Sequence, residues 1–162
     1  MKVRLAPAFL ASTMAVLALL APQAEADTNH QLVLNHSIAG VALGETLASI
    51  HGELGRPDGH KYFQSEISGT VRVDYYEKLS VATIGKVVTS VTSSRRSART
   101  ESGIGVGTTK RRLNRRFPNM SCFGAICRVS RYPPSEQIGR PVTDFRVRKN
   151  RVRSVTVGTV ID

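Results

Sequence analysis

Cysteine is nearly absent: Cys122 and Cys127 are the only two in 162 residues. With no second C-x-x-C and no histidine beside them, a tetrahedral zinc shell cannot be completed. No cysteine follows the apolar N-terminal run, so no lipid anchor is expected. Histidine is confined to His30, His36, His51 and His60, without H-E-x-x-H or comparable metal spacing. His51, beside Ile50 on an expected helix, reads as a surface residue. No serine sits in G-x-S-x-G, and a cysteine nucleophile would have to forgo its disulfide. The stretch "GIGVGTTK" at 103–110 matches neither G-x-x-x-x-G-K-[ST] nor G-x-G-x-x-G. These absences remove the familiar catalytic frames, so the chain is read as non-enzymatic and without cofactor or metal.

What is present begins with a targeting segment. "MKVR" is a short basic start, "LAPAFLASTMAVLALLA" is an apolar run, and "AEA" at 24–26 places small residues where a signal peptidase reads them. Pro7, Ser12 and Thr13 interrupt the run, and no basic stop follows it, which argues against a membrane helix. Residues 1–26 are therefore expected to be a signal peptide, and the mature chain, 27–162, to be secreted with no transmembrane segment. In an oxidising compartment the spacing of "CFGAIC" suits a disulfide, Cys122–Cys127, that closes a hairpin.

Two stretches share a pattern. "GVALGETLASIHGELG" at 40–55 superposes on "GIGVGTTKRRLNRRFP" at 103–118, placing Gly44 on Gly107, Thr46 on Thr109, Ile50 on Leu113 and Leu54 on Phe117. Further on, "SVT" at 90–92 falls on "SVT" at 154–156. The chain reads as a tandem duplication. In each copy a threonine caps a short helix with apolar residues at helical spacing, and Gly55-Arg56-Pro57 or Pro118 stops it. Alternating, β-branched runs follow at 70–76, 79–84, 86–93, 126–132, 143–148 and 151–160. Their connections, "EK", "GK" and "KN", are short enough to force antiparallel hairpins. The organisation expected is an N-terminal segment at 27–35, a first repeat at 36–94, a joint at 95–102 and a second repeat at 103–162. The fold class expected is α+β, two tandem helix-plus-antiparallel-sheet repeats.

"HSIAGVALGETLASIHGELGRPDG" resembles the opening of the small repeats in SmpA/OmlA-type lipoproteins of outer-membrane assembly. Two such units in one exported chain resemble the β-lactamase inhibitory protein and its relatives. That resemblance implies their fold over 36–160. It does not extend to the binding surface, because the inhibitor's concave sheet face includes tryptophan and this chain has none.

Charge is the remaining feature. Residues 27–94 hold 5 basic and 7 acidic side chains, whereas 95–162 hold 16 and 4. The second helix carries Lys110, Arg111, Arg112, Arg115 and Arg116 with no intervening acid, and like charges at such spacing repel over the Debye length of ~8–10 Å. If Lys149-Asn150 is a two-residue turn, Arg148 faces Arg151 and Arg146 faces Arg153, with like charges directly opposed. A β-bulge, or Asp144 and Glu136 reaching across, would relieve this instead. The pattern predicts an anion-facing surface. Its expected partner is an acidic protein, with Tyr75, Tyr76, Tyr132 and Phe145 as aromatic anchors. The alternative is an anionic envelope polymer or membrane surface, with nucleic acid only an incidental ligand outside the cell.

Overall fold

The computed structural model describes residues 32–161, so the expected signal peptide and most of the N-terminal segment lie outside the described residues. Three two-residue strands come first: β1 (Leu32–Val33), β2 (Ser37–Ile38) and β3 (Val41–Ala42). Helix α1 (Leu47–Leu54) precedes β4 (Gly59–Ser65), β5 (Gly69–Tyr76), β6 (Leu79–Ile84) and β7 (Val87–Ser93). Helix α2 (Lys110–Arg116) precedes β8 (Ser121–Phe123), β9 (Ile126–Val129), β10 (Pro141–Arg148) and β11 (Arg151–Thr159), with a 3-10 turn at Pro134–Glu136.

The turns set the pairing. Gly85 and Lys86, and likewise Lys149 and Asn150, adopt positive φ of 56°, 70°, 48° and 59°. Two consecutive residues in this region match the right-handed twist of the strands they join, so β6–β7 and β10–β11 close as tight hairpins. Cys122 and Cys127 stand directly opposite each other in the β8–β9 hairpin and are joined by a disulfide, with Cα atoms 4.0 Å apart. Strands β4 to β11 form one antiparallel sheet in the order β4-β5-β6-β7-β11-β10-β9-β8. Its centre is the β7–β11 pair, where Val91 lies against Val157 and Val155 against Ser93. At the neighbouring register Gly158 pairs with Ser90, and a Cβ at 158 would come within 3.0 Å of the Ser90 Cβ.

One sheet face carries the core. Leu79, Val81, Val91, Phe145, Val155 and Val157 are each at most 3% exposed and alternate with outward residues along their strands. β1 to β3 form a separate small sheet laid on this face, contributing buried Leu32, Ile38 and Val41. It is tied to β10 where the Asn35 backbone N–H donates to Thr143 Oγ1 and Thr143 donates back to Asn35 Oδ1, at 2.7 and 2.9 Å.

The helices are held chiefly by their entrances. Thr46 Oγ1 accepts from Ser49 N, and Thr109 Oγ1 from Arg112 N, as capping requires. Gly44 N donates to Val88 O and Leu47 N to Lys86 O; Gly107 N donates to Val152 O and Lys110 N to Asn150 O. Each helix start is thus stitched to a hairpin turn of the main sheet. Within the helices, Ile50 and Leu113 are the fully buried residues, each stabilising the fold by ~1.5–3 kcal/mol through burial.

These observations correct the expected fold class. The chain is mostly β, not two helix-plus-sheet α+β repeats. The helices have 8 and 7 residues and cannot form a covering layer. The strands of 36–94 and 103–162 merge into one sheet because β7 and β11 would otherwise each expose an unpaired edge at the centre of the molecule.

Candidate functional site

The five basic residues of α2 are all exposed, and they divide into two rows by helical spacing. Arg112 and Arg116 lie back over the preceding loop: Arg112 Nη2 donates to Ser102 O at 3.3 Å and Arg116 Nε to Ser102 Oγ at 3.4 Å. The Arg116 guanidinium also sits 5.8 Å from the Phe117 ring centroid. Lys110, Arg111 and Arg115 have no carboxylate partner among the described residues.

The last hairpin departs from the simple alternation. Arg148 does face Arg151, but the register shifts between Arg146 and Val147, so Arg146 lies opposite Ser154. This bulge takes up Arg153 as the extra residue and removes the expected Arg146–Arg153 pair. Val147 and Val152 pair, and Val152, 1% exposed, joins Phe145 in the core. Arg146, Arg148, Arg151 and Arg153 are exposed. Arg151 Nη1 donates to Gly107 O at 3.1 Å.

Asp144 does not reach these arginines. It is held by Arg128, whose Nε and Nη2 donate to its two oxygens at 2.8 Å each. This fork fixes Asp144 two positions from Arg146 and spends its charge there. Glu136, in the 3-10 turn, forms no ion pair among the described residues. α2 packs Leu113 and Phe117 toward the core face, Phe117 stacking on Phe145 at 5.9 Å. Arg146 and Arg148 alternate with Phe145 and Val147 and so belong to the opposite sheet face. The arginines therefore flank the Lys149–Asn150 turn on two sides instead of sharing one plane.

The aromatic residues are placed unequally. Tyr75 is half-buried and pairs with Ser80 on the face opposite the core. Tyr76 is 8% exposed, its hydroxyl buried with no hydrogen-bond partner among the described residues, so it belongs to the core. Burial and the neighbouring Asp74 charge push its phenol upward, while Arg72 opposes this. Phe145 is fully buried. Tyr132 lies beneath Arg140, whose guanidinium is 4.8 Å from the ring centroid.

One polar cluster was not read from the sequence. Asp74, 1% exposed, accepts from Arg72 Nε at 2.8 Å and lies 3.1 Å from His51 Nε2. His51 is thus an inward-turned residue of α1, 35% exposed, and not a free surface group. The hydrogen bond to Asp74 is the main cause holding the Arg72 guanidinium above its usual range. The signal was available: strand alternation puts Arg72, Asp74 and Tyr76 on one face of "TVRVDYY". Buried charge that is paired in this way is structural in character. Among the described residues no group of three or more histidine, cysteine or carboxylate side chains could hold a metal ion, and no helix is long and apolar enough to cross a membrane.

No protein-family model and no curated protein matches the chain. Two matching solved structures are an extracellular protein containing a SCP domain from Bacillus anthracis and a cysteine-rich secretory protein from Staphylococcus aureus. The first is 8% identical, with 72% of this chain and 43% of that one covered and a TM-score of 0.47. The second is 11% identical, with 72% and 44% covered and a TM-score of 0.43. This chain thus spans less than half the length of either. These neighbours are not the proteins the glycine pattern suggested, and the resemblance to the β-lactamase inhibitory protein and the SmpA/OmlA-type lipoproteins is corrected accordingly: short glycine and apolar patterns record how a helix enters a hairpin, which unrelated chains can share. At TM-scores of 0.47 and 0.43 neither neighbour assigns a function.

Proposed function

We propose that this chain is an exported, non-catalytic protein that engages an acidic protein partner through the arginines around the β10–β11 turn and on α2. The observation that carries this reading is the directly opposed Arg148–Arg151 pair, left without a carboxylate among the described residues while Asp144 is committed to Arg128. Like charges set across a strand pair cost up to ~1 kcal/mol, and an acidic group docking against them removes that cost. Arg146 and Arg153 beside them, and Arg111 and Arg115 on α2, extend the surface. Tyr75 offers a half-buried ring on the same sheet face as Arg146 and Arg148.

A second reading, binding to an anionic envelope polymer or membrane surface, is favoured by the spread of charge over both sides of the turn. A chain-like polyanion can follow a ridge that a compact protein surface would touch on one side only. The readings separate by salt and by variant. Protein purified as exported, and a quadruple Arg→Gln variant at 146, 148, 151 and 153, are used to recover partners from secreted and envelope fractions. One acidic protein retained at high salt by the parent and lost by the variant supports the protein partner. Capture that vanishes for all species once salt shortens the Debye length to ~3 Å supports the polymer. Capture unchanged by the variant refutes both.

A further inference from the structure

The segment between the two halves of the chain builds a pocket that the charge pattern of α2 and the hairpin does not account for. A cavity of about 420 Å³ is lined by Ser94, Arg96, Arg99, Arg151 and Arg153, with Val106, Gly107 and Val152 completing its wall. Four of these residues are arginines and none is acidic. The adjoining cavity contains Glu77, but Glu77 is engaged by Lys78 at 3.7 Å and Arg95 at 3.5 Å.

Two of the four guanidiniums are locked in place by neutral acceptors. Arg99 donates from Nε to Arg96 O at 2.9 Å, from Nη1 to Gly103 O at 2.9 Å and from Nη2 to Val106 O at 2.7 Å. Arg151 donates from Nη1 to Gly107 O. Carbonyl oxygens orient a guanidinium without neutralising it, so both full charges remain at the wall. Gly105 is what brings this loop so close: a Cβ there would land on the Ala98 carbonyl oxygen. The remaining two, Arg96 and Arg153, donate no side-chain hydrogen bond among the described residues and are exposed, Arg153 being the residue displaced by the β-bulge. Fixed and free guanidiniums together form a set in which rigid forks are pre-oriented and mobile ones can close over a bound group.

We propose that this pocket binds a phosphoryl group. Four cations without an acid call for an anion of more than one charge, and the planar guanidinium fork matches phosphate oxygens two at a time. The volume lies within the ~300–1,000 Å³ of small-molecule sites and exceeds what a bare anion needs, leaving room for the group that carries it. The site goes beyond the proposed partner surface, since Arg96 and Arg99 belong to neither α2 nor the hairpin. The source of the phosphoryl is either a free phosphomonoester or a phosphate borne by a membrane lipid.

The test is isothermal titration of the exported protein with glycerol 3-phosphate, with succinate as a carboxylate dianion of similar charge, and co-sedimentation with phosphatidic acid vesicles, whose headgroup is a phosphomonoester. R96Q and R153Q are the informative variants because neither residue holds the loop; unchanged thermal midpoints confirm their folding. Saturable binding of glycerol 3-phosphate, near one per chain, weakened about tenfold by either variant and unaltered by a double R111Q/R115Q variant, supports a free ester. Vesicle binding with the same dependence, without binding of the soluble ester, supports a lipid phosphate. Equal binding of succinate, equal weakening by R111Q/R115Q, or no binding of either probe overturns the proposal. Because R111Q/R115Q leaves the pocket intact, loss of partner capture in that variant with phosphate binding retained isolates the two sites from each other.

Discussion

Replacing Arg148 by glutamate tests whether the opposed arginines are kept for binding and not for stability. Arg148 and Arg151 face each other across β10 and β11. A like-charge cross-strand pair costs, and an opposite-charge pair contributes, roughly 0.2–1 kcal/mol each. Both side chains are exposed, so the lower part of that range applies to each. R148E should therefore stabilise the protein by about 0.4–1 kcal/mol at low salt, which for a domain of this size raises the thermal midpoint by about 1–4 °C. In 1 M salt, where the Debye length is ~3 Å, most of the gain should disappear. R146E is the internal control. Arg146 faces Ser154 and not Arg153, so its substitution removes no directly opposed cation and should move the midpoint much less. Differential scanning calorimetry at two ionic strengths, with partner capture on the same samples, reads both quantities. The expected result is a more stable protein that has lost its partner. A midpoint that falls in R148E, or rises equally in R146E, would refute the register argument; retained capture would refute the functional one.

Two further substitutions probe the interior. Tyr76 has a buried hydroxyl with no partner among the described residues and a phenol pushed above its usual value of about 10. A raised folded value means the native state holds that proton more tightly, so stability is present below about pH 10 and is lost as pH rises through the folded value. Tyr76→Phe should raise stability by up to about 1 kcal/mol at neutral pH, since it removes an unsatisfied polar group, and should flatten the alkaline decline seen in urea titrations from pH 9 to 11; a lower midpoint would show that the hydroxyl has a partner after all. Gly105→Ala places a methyl on the Ala98 carbonyl oxygen and against the Arg99 Cα. Backbone cannot step aside as a side-chain tip can, so the loss should reach the upper end of the ~1–3 kcal/mol typical of overpacking. Gly52→Ala on α1, where a Cβ meets open space, should instead gain about 0.5–1 kcal/mol through helix propensity; chemical denaturation of the pair distinguishes a close approach from a general intolerance of change.

Local structure was legible where one residue type had one use. Alternation and β-branching located β5, β6, β7, β10 and β11 to within two residues, the two-residue connections gave their antiparallel pairing, and Thr46 and Thr109 marked both helix starts. β4 was missed because Gly59–Ser65 is exposed along nearly its whole length, so no period-2 contrast is written into it; pairing with β5 alone makes it a strand. β1 to β3 are two residues each and exist through the packing of Leu32, Ile38 and Val41 on the main sheet, which no local window encodes. The strand expected to run to 132 ends at Val129, ahead of the Pro133–Pro134 turn. The fold class was misjudged for a related reason. Sequence counts a helix and a hairpin as equal elements, whereas the sheet is made continuous by the β7–β11 pairing, whose partners lie about 65 residues apart.

The candidate site shows the same division between charge and geometry. Net charge is additive and survives any fold, so the excess of cations in 95–162 could be read directly. Which cations remain uncompensated is decided by pairing, and here a single bulge at Arg146/Val147 and a single fork between Arg128 and Asp144 redistribute the whole set. The bulge turns Arg153 away from Arg146 and toward the pocket wall shared with Arg96 and Arg99. The fork removes the nearest carboxylate that could have quieted the hairpin. Both events are local and cost little in folding, yet together they leave two differently shaped cationic features on one half of the molecule: an exposed ridge suited to a broad acidic surface and a walled pocket suited to a compact dianion. A chain that needed these arginines only for solubility would gain as much from scattering them, since solvation depends on net charge and not on placement. On the proposed reading, the acidic group bound at the turn offsets the ~0.2–1 kcal/mol that the Arg148–Arg151 opposition costs.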